Sequence, residues 1–69
     1  MKRKEMEGVI EAILFTMGES VELSRIAKAL EEEEETVRNV IHQMMERYEK
    51  EAVKTRTIYD EQRTVMVKI

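Results

Sequence analysis

No cysteine occurs in this chain, so no disulfide and no thiolate metal site can staple it. That absence fits a reducing compartment. No apolar run reaches the roughly 18 residues that a membrane-spanning helix needs. The start, Met1-Lys2-Arg3-Lys4, is basic, but Glu7 and Glu11 interrupt the apolar stretch behind it and break the pattern of a secretory signal. A cytoplasmic location with no membrane partner is expected. With two glycines and no proline, the chain has no glycine-rich loop of the phosphate-cradling kind. His42 is its one histidine. A metal site or an acid–base centre needs converging partners, and only Glu46, at i+4, is so placed. Ser20 and Ser24 have no base beside them. The chain is therefore expected to be no enzyme, with no catalytic residue, no metal and no cofactor.

What is present is short and charged. Sixty-nine residues allow one domain, 1–69. The core of so small a domain supplies only about 3–5 kcal/mol of net stability. The net charge is −3, and it is unevenly spread. Residues 1–30 carry five basic and five acidic side chains. Residues 31–51 set eight Glu against Arg38, Arg47 and Lys50. Residues 52–69 set Lys54, Arg56, Arg63 and Lys68 against Asp60 and Glu61.

The apolar centre is Met6–Met17, where eight of twelve residues are apolar. Val9, Ile10, Ile13 and Met17 make a stripe at helical spacing, and Leu14 and Phe15 widen it beyond what one neighbour covers. This predicts a first helix over about 3–17 that packs on two sides, or else a helix that is all ordinary core. Gly18 should end it in the left-handed conformation. Gly8 lies inside it, either as tolerated surface or as a place of close backbone approach.

Glu19-Ser20-Val21 reads as an extended link. Leu23, Ile26, Ala27 and Leu30 then follow at i, i+3, i+4, i+7 and mark a second helix, about 23–30, with Glu22 favouring its N-terminus. Val37, Val40, Ile41, Met44 and Tyr48 mark a third, about 34–50. The two stripes are in phase across Glu31–Glu35, and no Gly or Pro forbids one continuous helix. Glu33 and Glu34 stand where that helix would need apolar residues, and neighbouring Glu repel. We therefore place a break at about Glu31–Glu33. From Val53 the chain becomes β-branched and alternates by two, which predicts strands over about 53–59 and 64–69 with Asp60–Arg63 as the loop. Tyr59 paired with Thr64 would set Ile58 opposite Val65. The class is α+β, a small winged helix of three helices and a C-terminal β-hairpin wing.

Ile10-Glu-Ala-Ile-Leu-Phe15, then Gly18-Glu19-Ser20-Val21, then Leu23, Ile26-Ala27 and Leu30 resemble the N-terminal domain of the bacterial segregation and condensation protein B family. The likeness continues without a gap through Glu34-Glu35-Thr36-Val37 to Glu46-Arg47-Tyr48-Glu49. The chain departs from the family at Ser20 (usually Pro), near Glu22 (usually Ser or Thr), at Glu31 (usually Gly) and around Arg63-Thr64 (usually an aromatic-Gln pair). Family members carry two tandem winged helices, and this chain has room for the first. The resemblance implies a non-enzymatic role in chromosome segregation and condensation. It implies a homodimer formed through the N-terminal winged helices, acting with a kleisin subunit and a chromosome-structuring ATPase. It also implies a cytoplasmic protein that meets the nucleoid through its complex. The kleisin is held largely by the parts of the family that lie beyond this chain.

For an interface, the sequence nominates Leu14, Phe15 and Met17, alone or with the wing strand Thr64–Ile69, where Met66 lies. Six methionines suit either gaps in a small core or an adaptable binding surface. A DNA-binding regulator of winged-helix geometry is the alternative, with Lys54, Arg56, Arg63 and Lys68, and the tail Lys2-Arg3-Lys4, touching phosphates without sequence preference. Specific reading by the third helix is not expected. Its first turn is Glu33-Glu34-Glu35-Thr36, with Arg38 as the one nearby cation, and phosphate attraction drives most of the affinity for nucleic acid.

Overall fold

A computed structural model describes residues 1–51 and 55–68. The expected strand starts at Val53 and Lys54, and the end at Ile69, lie outside these residues. The elements run α1 (Arg3–Met17), β1 (Val21–Glu22), α2 (Leu23–Leu30), α3 (Glu34–Glu51), β2 (Thr55–Asp60) and β3 (Arg63–Lys68). The strands form one antiparallel sheet in the order β1-β3-β2. This is a small α+β fold of the winged-helix type.

Lys2 is extended, and its backbone N–H donates to Glu5 Oε1 at 3.2 Å, which secures the start of α1. Gly18 closes the helix at φ 65°, where its N–H donates to the Leu14 carbonyl at 3.1 Å. The expected extended link is in part a strand. Val21 pairs with Thr64 and Glu22 with Arg63, and the Thr64 hydroxyl donates to the Val21 carbonyl at 3.4 Å. Two residues carry no readable period, so only the sheet defines β1. The chain passes from β1 directly into α2. The Glu22 side chain makes no capping bond. Instead the first amide of α2, Leu23 N–H, donates to the Gln62 carbonyl at 2.8 Å.

The chain breaks where the glutamate run begins. Glu31 takes φ 58°, with its N–H donating to Lys28 O at 3.2 Å and the Glu32 N–H donating to Ala27 O at 2.9 Å. A continuous helix from Leu23 is thereby excluded. A side chain in the left-handed region costs about 1–2 kcal/mol, and glycine there costs some extra chain entropy on folding. Glu31→Gly is therefore expected to raise stability by about 0.5–1 kcal/mol, read as a higher urea midpoint at unchanged slope.

The hairpin turns through Glu61-Gln62, with Tyr59 opposite Thr64 and Ile58 opposite Val65, the register that the alternation suggests. All of the expected inward residues of α2 and α3 are buried. The inward stripe of α1 differs from the expected one. It is Met6, Ile10 and Leu14, with Ile13 partly buried at its margin, whereas Val9 and Met17 lie exposed. Both stripes have helical spacing, and only packing against α3 and the sheet ranks them. Thr57 is buried, and its hydroxyl has no partner among the described residues. Thr57→Val, which keeps the shape and removes the unpaired hydroxyl, should stabilise the fold by about 1 kcal/mol in thermal unfolding.

Polar side chains tie α1 to α3. Tyr48 is buried, and its hydroxyl donates to Glu11 Oε2 at 2.7 Å, while Arg47 pairs with Glu7 at 3.0 Å. Burial, then the bond to Glu11, pushes the Tyr48 phenol up to about 12. A group whose pKa is raised by folding adds stability that is complete below its unfolded value, near 10, and is lost as pH rises through the folded value. Urea midpoints should therefore fall between about pH 10 and pH 12 in the wild type. Tyr48→Phe should fall less over that interval.

Candidate functional site

The helical repeat sets Gly8, Ala12 and Thr16 in one row on the outside of α1, with Val9, Ile13 and Met17 in the next. These six residues line a shallow apolar groove, with Lys4 and Glu5 at its N-terminal end. Val9 is 37% exposed, Met17 39% and Phe15 49%. Among the described residues, no atom lies within 4 Å of where a Cβ on Gly8 would stand, so the groove is open there.

Two of the four nominated interface residues are elsewhere. Leu14 is 0% exposed and Met66 8%, and both belong to the core. Leu14 points inward because it continues the Met6–Ile10 row. Met66 shares the inner face of β3 with Thr64, since side chains alternate along a strand. Leu14 and Met66 are thus buried, whereas Phe15 and Met17 are exposed. Gly8 lies on open surface, one of its two expected readings, whereas Val9, expected in the stripe with Ile10, lies on this outer face together with Ala12 and Thr16, which the i, i+4, i+8 spacing of small residues made legible. Ile58, not foreseen as a surface residue, is exposed on the outer face of the sheet.

The second cluster joins α3 to the wing turn. Arg38 Nε donates to the Tyr59 hydroxyl at 3.0 Å, and that hydroxyl donates to the Glu61 carbonyl at 2.9 Å. His42 stands edge-on to the Tyr59 ring, centroids 5.0 Å apart. The bond to Tyr59, helped by the charges of Glu34 and Glu35, raises the Arg38 pKa further above its ordinary value. The cation nearest the start of α3 is thus engaged within the domain. Glu34 and Glu35 fill the first turn of α3, where a reading helix would meet DNA. Of the nominated phosphate contacts, Arg56 and Arg63 are exposed, and Arg63 sits in register between Glu22 and Asp60. Lys54 and the Lys68 side chain lie outside the described residues. Among the described residues no three His, Asp or Glu side chains converge as a metal site. No described helix is long and apolar enough to cross a membrane.

Fold and site together define a small α+β domain of the winged-helix type with an exposed apolar groove along its first helix. The sequence pattern of the segregation and condensation complex subunit ScpB matches residues 8–67, and the chain belongs to that family. It is 59% identical over 49 residues to a segregation and condensation protein B of Lachnoclostridium phytofermentans, covering 71% of this chain and 26% of that protein. It is 48% identical over 44 residues to the protein of the same description from Caldanaerobacter subterraneus subsp. tengcongensis, covering 64% of this chain and 26% of that one. A third such relative, from Agathobacter rectalis, is 48% identical over 42 residues, covering 61% of this chain and 22% of that protein. The chain spans about a quarter of the length of these curated relatives.

Proposed function

We propose that this domain is a non-enzymatic protein–protein interaction module of a chromosome segregation and condensation complex, and that it self-associates as a homodimer through the outer face of α1. The observation that supports this most is the exposure of Val9 and Phe15, which flank the Gly8–Ala12–Thr16 row on the side of α1 away from the core. Contiguous apolar surface of this kind marks interaction sites. Its removal from water contributes roughly 25 cal/mol per Å². The kleisin subunit and the chromosome-structuring ATPase are the partners that the family resemblance supports for the longer protein, which would be cytoplasmic and meet the nucleoid through that complex.

Sedimentation equilibrium tests the reading. A monomer–dimer equilibrium in the micromolar range or tighter is expected, changing little between low and moderate salt, because apolar contact is not screened. A strict monomer at high concentration would remove the self-association. A low-salt duplex titration tests the alternative, a DNA-binding regulator. Micromolar binding that weakens steeply with salt would favour that alternative.

A further inference from the structure

We infer that Tyr59 is a latch that holds the tip of the wing against α3, and that its release frees the turn and the first amide of α2 together while the core stays folded. Asp60 and Arg63 pair across a two-residue turn, Glu61-Gln62, that contains no glycine or asparagine. Turns of this length match the twist of their strands in the primed types, which need a positive φ at one or both central residues. Among the described residues Glu31 is the one non-glycine at positive φ, so Glu61 and Gln62 take neither primed form. Such a turn splays its strands unless something outside it holds it. Both of its carbonyls are so held. The Glu61 carbonyl accepts from the Tyr59 hydroxyl at 2.9 Å, and the Gln62 carbonyl accepts from the Leu23 N–H at 2.8 Å. The Tyr59 hydroxyl is fixed in its turn by Arg38 Nε at 3.0 Å, and its ring packs edge-to-face with His42.

The base of the wing is anchored separately. Thr64, opposite Tyr59, is fully buried, and its hydroxyl donates to the Val21 carbonyl. Opening is therefore confined to Asp60–Arg63, beyond that pair. Arg38 also has a second partner within reach of its own helix. Glu34 lies at i−4 in the first turn of α3, the favoured order for a helical ion pair, so an Arg38 that leaves Tyr59 keeps a partner. The open and closed arrangements thus differ by about one net hydrogen bond, and the tip opens at far less cost than the domain unfolds. The Gln62 carbonyl is the acceptor for the first amide of α2, and Arg63 pairs with Glu22, so movement of the tip reaches the start of α2.

Amide hydrogen exchange on the folded chain reads the latch. Tyr59→Phe keeps the ring and removes the hydroxyl. It should lower the protection of the Leu23 amide about fivefold, the equivalent of roughly one net hydrogen bond, relative to Ile41 and Met44 in the middle of α3. Ile41 and Met44 report the global stability that each variant keeps, so the comparison holds in a less stable protein. Arg38→Gln should lower Leu23 protection in the same direction. It should add nothing further in the Tyr59→Phe background, because the guanidinium acts through the hydroxyl. Parallel loss at Leu23, Ile41 and Met44 would make Tyr59 a general stabiliser and overturn the latch. So would an Arg38→Gln that has no effect alone, or that has its full effect on top of Tyr59→Phe.

Discussion

Leu14→Ala is expected to destabilise the domain by about 3 kcal/mol, most of the net stability available to a chain of this size. Leu14 is fully enclosed, with Met6 and Ile10 in its own row and the buried residues of α2, α3 and the sheet completing the same core. Removing its branched end leaves a cavity that neighbours on three sides can only partly fill. The loss should appear as a thermal midpoint lowered by more than 10 °C, since about 1 kcal/mol shifts a domain of this size by about 4–8 °C. Circular dichroism on heating measures it. A shift of only a degree or two would mean that Leu14 is not enclosed.

Phe15→Glu, one residue further along, is expected to do the opposite. Phe15 is half exposed and lies outside the core cluster, so the folded monomer loses little. The proposed dimer would lose an aromatic contact twice and gain two charges in an apolar seam. At about 1–2 kcal/mol for each truncated aromatic anchor, the association constant should fall about 30-fold or more. Sedimentation should show the monomer, and circular dichroism should show the wild-type helix signal. If melting and association collapsed together, Phe15 would be a core residue and the proposed interface would have to lie elsewhere. The two substitutions separate the faces of α1 because adjacent helical residues point about 100° apart.

Much of the fold is written locally. The stripes of α2 and α3 name their own buried residues, because each helix offers one apolar side and a charged remainder. Gly18 announces the end of α1 because glycine, having no Cβ, takes the left-handed backbone conformation there without the steric penalty that other residues pay. The alternation of β2 and β3 carries their register, since a slip of one residue would turn Thr64 and Met66 out of the core. Nothing local reveals β1. Its two residues become a strand only because β3 offers them an edge.

The candidate site divides in the same way. Surplus apolar residues on α1 are visible in the sequence, as is the acidity that argues against DNA reading by α3. The engagement of Arg38 by Tyr59 is not visible, because 21 residues separate the two and only the wing's return brings them together.

The sequence by itself determined the class, the helix and hairpin periods, the break before α3 and the family, because each depends on residue type and spacing along the chain. Only the tertiary structure decided which side of α1 is core. Both candidate stripes satisfy the helical repeat, and the choice falls to the one that α3 and the sheet can cover. That choice encloses Leu14 and Met66 and leaves Val9, Phe15 and Met17 outside.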